Sequence, residues 1–349
     1  MLKNVFSFYA LTACISAVGI NQKALAAIAV STLSCTLPHP ANESIVVDSS
    51  DNIFVSSLGA NTGPMQWSGP GVMRITPACD VTLFANITGA LGNTLDSSGN
   101  LYVTSAEVAG NRKIYRVQPD GTTAEFITSN GAGNLAFDSV GNLYVSSFSN
   151  NTIAKYDSFG NLIDSNFASN ISLSGPVGLA FDNDDNLYSS GFNNGQIVKI
   201  EPDGTASTLA NVQSGIGYLA FADNALYATG FSSHLIYRIS LAGDVSIIAG
   251  STAGTQDSAD PCTARFSQPN GIHGNSSGDK LYVSQYSNGV VRVLDLTTDN
   301  GTVCSSSTSS SSSSSSGSGS GSNGGSGGSS GLIFPSGLLL LLLFRKRSE

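Results

Sequence analysis

The stretch Gly175-Pro176-Val177-Gly178-Leu179-Ala180-Phe181-Asp182, with Leu187-Tyr188, Lys199 and Pro202-Asp203-Gly204 behind it, decides the fold. It reads as a short apolar strand ending in Asp, a polar turn, a second strand opening on Leu-Tyr, a third strand carrying one basic residue, and a Pro-Asp-Gly turn into a fourth β-rich stretch. Outward from this unit the pattern repeats. The aliphatic-aromatic pair recurs as Ile53-Phe54, Leu101-Tyr102, Leu143-Tyr144, Leu226-Tyr227 and Leu281-Tyr282, so the six aromatic positions are 48, 42, 44, 39 and 55 residues apart. Asp48, Asp96, Asp138 and Asp182 close the preceding strands, with Asp223 displaced by one. Arg74, Arg116, Lys155, Lys199, Arg238 and Arg292 are the basic residues of the third strands.

A four-stranded unit with two apolar faces cannot bury both by itself. Six units packed radially about an axis can, and they leave only short protected edges. No part of the body shows a sustained apolar period of 3.6 residues, so helices are expected to be scarce. The expectation is an all-β, six-bladed propeller of four-stranded antiparallel blades over residues 27–304. The segment at residues 27–33 is a candidate fourth strand for the last blade.

Composition limits the function. The chain has 349 residues, a net charge of −9 and only 11% charged residues. Between positions 27 and 331 there are 10 basic against 23 acidic residues, a net of −13. A nucleic-acid partner is excluded by that balance, because phosphate binding needs a basic footprint. The sequence contains no nucleophile elbow, no GxGxxG and no P-loop pattern.

The two ends read as addresses. Lys3, an apolar run over residues 5–20 and Ala24-Leu25-Ala26 form a secretory signal, with cleavage expected after Ala26. A competing lipobox reading of Leu11-Thr12-Ala13-Cys14 leaves too short an apolar region. Residues 305–331 are almost only Ser and Gly, a flexible linker spanning about 30 Å. Residues 332–349 combine an apolar segment at 332–344 with Arg345-Lys346-Arg347. As a helix the apolar part reaches only about 20 Å, short of a ~30 Å hydrocarbon core. A short membrane anchor is one reading, with the basic end cytoplasmic.

Asn323-Gly324-Gly325-Ser326-Gly327-Gly328, followed by the apolar run and the basic cluster, resembles the GlyGly-CTERM sorting signals of Gram-negative bacteria. That resemblance implies export across the inner membrane, a rhomboid-type sorting protease as partner, transient membrane attachment, and delivery to the cell surface or medium. The body resembles the NHL-repeat propellers, related in fold to the gluconolactonase-like proteins. Ala264-Arg265-Phe266, Pro269-Asn270-Gly271, Leu281-Tyr282-Val283-Ser284, Asn288 and Val291-Arg292-Val293 carry the likeness most clearly, with residues 175–182 beside them. It implies the propeller, and no single reaction. The lactonase-like enzymes use Glu, Asn and Asp around a divalent cation. Here Glu43 precedes blade one without a following Glu-Gly-Pro.

Candidate sites follow from the blade topology. The second-to-third connections emerge on the face where propellers usually place function. They carry Phe148, Phe192, Phe231 and Tyr286, and blade one has an insertion over residues 58–71 with Trp67, the chain's only Trp. Asn194 and Asn288, with Asn150, Asn151 and Asn193, offer amides beside them. Aromatic faces with amides suit a glycan or an extended peptide. The competing reading is that these aromatics wedge between blades as core.

His39, His234 and His273 are too scattered to predict a zinc site. Asp182-Asn183-Asp184-Asp185-Asn186 resembles the start of a calcium loop but lacks its Gly and closing Glu, so a polar turn is the better reading. No cofactor is expected, a divalent cation such as calcium being the only candidate. The basic residues of the third strands are expected to pair with turn Asp side chains or backbone carbonyls. Cys35, Cys79, Cys262 and Cys304 are an even set for two disulfides in an exported chain. Three pairings are possible. Assigning Cys35 and Cys262 to one face and Cys79 and Cys304 to the other favours Cys35–Cys262 with Cys79–Cys304. The function expected is ligand binding outside the cell, with a metal-dependent lactonase-like hydrolase or lyase as the alternative.

Overall fold

The structure is a computed structural model that describes residues 27–59, 61–63, 66–106, 112–129, 131–299, 301 and 303–304. The expected export signal, the Ser/Gly-rich stretch and the C-terminal segment lie outside the described residues. Six four-stranded antiparallel sheets surround one axis, their first strands in contact from blade to blade around it. From the axis outward, blade 1 is Ile45–Val47, Ile53–Ser57, Gly71–Ile75 and Val81–Asn86, and blade 2 is Ala90–Leu95, Leu101–Ser105, Arg112–Val117 and Thr123–Ser129. Blade 3 is Ala132–Phe137, Leu143–Ser147, Thr152–Tyr156 and Leu162–Asp164, and blade 4 is Pro176–Phe181, Leu187–Gly191, Gln196–Ile200 and Ala206–Asn211. Blade 5 is Ile216–Ala222, Ala225–Gly230, Leu235–Ser240 and Val245–Gly250. Blade 6 takes three strands from the C-terminal side, Pro269–Gly274, Lys280–Gln285 and Val291–Asp295, and its outermost from the N-terminus, Ala29–Thr32. The expected ring closure by the first strand is therefore present, antiparallel to Val291–Asp295.

The repeated residues explain the packing. Successive strand side chains point to opposite faces, so Leu and Tyr of each pair serve two different interfaces. Each of the six interfaces has its own apolar cluster, and a seventh sits over the axis. Tyr102 lies edge-on between Phe126 and Phe137, at 5.0 and 4.8 Å, and Tyr144 between Phe167 and Phe181, both at 5.0 Å. The turn Asp accounts for the tyrosine's hydroxyl. In the calcium-like run, Asp182 accepts from the backbone N–H of Asp184 and Asn186, from Asn186 Nδ2, and from Tyr188 OH at 2.9 Å. The same Asp-to-Asn clasp closes the turns at Asp48, Asp96, Asp138 and Asp157. The run is thus a turn whose carboxylate is already occupied by protein donors.

A second repeat, at the axis, joins blade to blade. In blades 2 to 6 the innermost strand has a bulge where two residues oppose one. The facing hydroxyl of the second strand fills it. Ser190 Oγ accepts from Gly178 N–H at 2.8 Å and donates to Gly217 O of the next blade at 2.6 Å. Ser146 reaches Val177 O at 3.1 Å, Thr229 reaches Asn270 O at 2.6 Å, and Ser284 closes the seam onto Glu43 O at 2.5 Å. In three blades close approach requires glycine here: a Cβ on Gly92, Gly178 or Gly271 would lie 2.3, 2.5 and 2.5 Å from the backbone of the following blade. The other three blades place Ser44, Asn134 and Tyr218 at the equivalent position, as their strand registers show.

Two expectations are corrected. The four Cys residues of the body form two disulfides, but the pairs are Cys35–Cys79 and Cys262–Cys304, each with a Cα separation of 5.2 Å, and not Cys35–Cys262 and Cys79–Cys304. The segment leaving the N-terminal strand crosses to blade 1, where Leu33, Cys35 and Leu37 pack on the cluster holding Met73, Ile75 and Val81. That carries Cys35 to the turn bearing Cys79. Likewise Cys304 donates its N–H to Ile247 O of blade 5, beside the long connection that holds Cys262. Among the third-strand basic residues, Arg292 makes the expected carboxylate and carbonyl contacts, whereas Lys155 departs from them. Lys155 Nζ stacks 5.1 Å from the Tyr144 ring and 5.0 Å from Phe167, while Arg292, fully buried, pairs with Asp257 and two backbone carbonyls. Arg292 opposes Val283 rather than Tyr282, one register place away from its five counterparts.

Candidate functional site

The second-to-third connections bring the predicted aromatics together over the axis. Phe148–Phe192, Phe192–Phe231 and Phe231–Tyr286 are in ring contact at 5.9, 6.0 and 5.5 Å, running through four successive blades. Leu58, Trp67, Leu91 and Ala106 complete the cluster from blades 1 and 2. Trp67 arrives on the hairpin Asn61–Gly63 and Gln66–Trp67, which the blade 1 insertion forms. Phe231 is 1% exposed, Phe148, Phe192 and Trp67 are buried, and Tyr286 is half-buried. The aromatics therefore pack as a continuous layer across the axis. Trp67 Nε1 is buried with no hydrogen-bond partner among the described residues, a donor that the layer leaves unmet.

The predicted amides lie at the rim. Asn194 and Asn288 are exposed. Asn194 Oδ1 accepts from Gln196 N–H at 3.1 Å, and Asn288 Oδ1 accepts from Gln285 Nε2 at 3.3 Å, leaving the amide N–H groups of both turned to solvent or ligand. Asn288 also lines a surface cleft of about 350 Å3 with Leu37, His39 and Pro40. Asn151 differs, since its Oδ1 caps Gly175 N–H at 2.8 Å. The histidines do not converge: His234 accepts from Gln268 N–H through Nδ1, and His273 lies on the inner strand of blade 6. Among the described residues no three His, Cys, Asp or Glu side chains form a group that could hold a metal.

Directly under the aromatic layer is a polar group that the sequence reading did not assemble. Glu43, two residues before the inner strand of blade 1, and Asn270, on the inner strand of blade 6, occupy equivalent positions where the two blades meet at the seam. Glu43 is 2% exposed. Its Oε2 accepts from Asn270 Nδ2 at 3.1 Å and from Tyr218 OH at 3.5 Å, and its Oε1 has no hydrogen-bond partner among the described residues. Burial pushes the Glu43 carboxyl up to about 8, against the opposing effects of the Asn270 hydrogen bond and the Arg112 charge. Arg112, buried nearby, donates to Ala132 O at 2.7 Å and is lowered to about 10 by its own burial. Tyr218 and Tyr286 are both raised, by burial first and then by the Glu43 charge. At neutral pH this arrangement keeps the Glu43 proton on. The signal was present in the sequence: Asn42-Glu43-Ser44-Ile45 aligns with Pro269-Asn270-Gly271-Ile272 once the strand registers are superposed.

No protein-family model and no curated protein sequence matches the chain. Solved structures do match it in fold. An auxiliary nutrient binding protein from Bacteroides thetaiotaomicron superposes with a TM-score of 0.63 at 12% identity, covering 77% of this chain and 76% of that one. A gluconolactonase from Xanthomonas campestris gives 0.58 at 15% identity, covering 77% and 89%. Virginiamycin B lyase from Staphylococcus aureus gives 0.54 at 15% identity, covering 77% and 99%. Binding proteins, a lactonase and a lyase thus share this propeller, and at such identities the likeness extends to the fold alone.

Proposed function

We propose that the protein is an exported six-bladed propeller of NHL type that binds an extracellular ligand on the loop face of its axis. The observation that carries this reading is the aromatic layer of Phe148, Phe192, Phe231 and Tyr286 with exposed amides of Asn194 and Asn288 at its rim. A glycan, a peptide or an envelope protein has the matching chemistry, since aromatic planes take apolar faces and amides take hydroxyl or peptide groups. The ends of the chain supply the address. Residues 1–26 direct export, residues 305–331 act as a stalk, and residues 332–349 are a GlyGly-CTERM-type signal handled by a rhomboid-type protease, which leaves the body at the cell surface or in the medium. Two disulfides agree with an oxidising location.

The test is a glycan and peptide array probed with the oxidised chain, followed by titration of each hit against Tyr286→Ala and the double variant Asn194→Ala/Asn288→Ala. Weakening of at least tenfold in both supports the reading, and unchanged affinity overturns it. One observation favours the lactonase-like alternative: Glu43 has an unpartnered oxygen beside Asn270 at the axis. Stoichiometric calcium or zinc in the purified protein, lost in Glu43→Gln, would favour that enzyme over the binding module.

A further inference from the structure

The hairpin turns lie on the face of the ring opposite the aromatic layer, and blade 3 breaks their pattern. A four-residue turn here is closed by the N–H of its fourth residue on the C=O of its first, which leaves the third residue as the tip. In the other blades that tip is Ser, Asp or Ala, as at Ser98, Asp120, Asp184, Asp203 and Ala242. Both turns of blade 3 carry a bulky apolar tip instead: Val140 is 78% exposed and Phe159 84%. The two turns are neighbours, since a Cβ on Gly141 would lie 4.0 Å from Ser158 Cβ.

The fourth strand of the same blade is also irregular. In blades 1 and 2 a fourth-strand aromatic meets the second-strand aromatic, Phe84 on Phe54 at 4.9 Å and Phe126 on Tyr102 at 5.0 Å. Each stands five positions after the left-handed residue of its turn, Cys79 and Gly121. In blade 3 that place on Tyr144 is taken by Phe167, seven positions after Gly160. The following blades show the equivalence: a Cβ on Gly121 would lie 2.9 Å from Phe84 O, and one on Gly204 2.6 Å from Phe167 O. Two additional residues thus leave Leu162–Asp164 clear of the core, with Leu162 56% and Ile163 55% exposed. The outer edge of this strand is open among the described residues. The outermost strand of blade 6 differs, because a bridge from Val30 to Ser258 covers it.

Val140, Phe159, Leu162 and Ile163 are four of the seven large apolar side chains exposed among the described residues, so the exposed apolar surface is concentrated on one blade. Together they present roughly 450 Å2, at the upper end of what a monomer leaves contiguous. Two such patches bury about 900 Å2 between them, and the rim at Ser158 and Asn161 brings the total toward the ~1,200 Å2 of a small specific interface. The open edge selects the occupant. A bilayer has no donors or acceptors for its N–H and C=O groups, whereas a second copy of the strand has both. Antiparallel pairing about Ile163 sets Leu162 against Asp164, so the two Asp164 carboxylates, each capping its own Asn166 N–H at 2.8 Å, stay apart. We infer that blade 3 is a self-association surface, on which a second copy of this chain docks with two-fold symmetry, Leu162–Asp164 pairing edge to edge with its counterpart and Val140 and Phe159 flanking the contact. The inference is independent of the loop-face reading, which uses none of these residues.

The experiment is sedimentation equilibrium of the oxidised full chain over a range of concentrations, beside Ile163→Lys and Leu83→Lys. A reversible monomer–dimer equilibrium is expected, at least tenfold weaker in Ile163→Lys. It should be unchanged in Leu83→Lys, whose side chain is 48% exposed on the fourth strand of blade 1. Association through residues 332–344 is common to all three proteins, so the difference between them reports on blade 3. Raising the salt concentration should tighten the dimer, because the contact is apolar and the two bodies carry like charge. Ile163→Cys, which the two-fold places against its own counterpart, should form a covalent dimer with oxidised glutathione, and Val245→Cys on blade 5 should not. A wild type that stays monomeric would overturn the inference. So would equal association in Ile163→Lys, the absence of a covalent dimer from Ile163→Cys, or binding to phosphatidylcholine vesicles that Ile163→Lys abolishes without any dimer in solution.

Discussion

Glu43→Gln is the substitution with the clearest quantitative consequence. The carboxyl is raised from an ordinary 4.5 to about 8 by burial at the axis. A folded state that holds a proton more tightly than the unfolded chain is most stable below the unfolded pKa. Its stability falls as pH rises from about 4.5 and levels off once pH passes about 8. Each pH unit in that window is worth about 1.4 kcal/mol, so the full span approaches about 5 kcal/mol. Glutamine keeps the shape and the acceptor for Asn270 without titrating. The assay is urea unfolding of both proteins, oxidised, at pH 5, 6, 7, 8 and 9. The wild type should lose stability relative to Glu43→Gln across this series by several kcal/mol, with the difference flattening above pH 8. Parallel profiles would refute the reasoning, because they would mean that Glu43 titrates as it does in water.

Other consequences are as direct. Non-reducing peptide mapping should recover Cys35 linked to Cys79 and Cys262 linked to Cys304; removing either bond by a double Cys→Ala change should cost about 4 kcal/mol from loop closure over separations of 44 and 42 residues, read as a lower urea midpoint. Ser190→Ala strips the bulge of its clasp and leaves Gly178 N–H and Gly217 O buried and unmet, an expected loss of about 2–4 kcal/mol in the same assay. Ile28→Ala should cost about 2–5 kcal/mol, since this fully buried side chain belongs to the interface that the N-terminal strand closes; a neutral result in thermal unfolding would contradict that closure.

Much of the ring is written in local chemistry, which is why the repeat is readable. A turn needs its Asp and Asn, a blade needs an aliphatic residue facing one neighbour and an aromatic facing the other, and each requirement leaves its residue at a fixed distance along the chain. Ala29–Thr32 is legible for the same reason, as an apolar strand without a local partner. What the repeat hides is lateral displacement. Cys35 and Cys304 are carried to neighbouring blades by segments that follow no repeat, and their partners depend on where those segments pack. Glu43 stands at the most irregular blade, so its equivalence to Asn270 emerges only from strand register. Phe148, Phe192 and Phe231 show the remaining ambiguity. One repeated position could serve packing or presentation, and only the geometry shows that the three pack as a single buried layer with amides outside it.

The chain carries its own reporter for the central claim, because its only Trp, Trp67, belongs to the loop-face layer. The decisive measurement is Trp67 emission during titration with ligands selected from the array. The account predicts a saturable change for a true ligand, absent in Tyr286→Ala. Ligands that bind tightly while leaving Trp67 emission unmoved would contradict the assignment of the loop face as the binding surface.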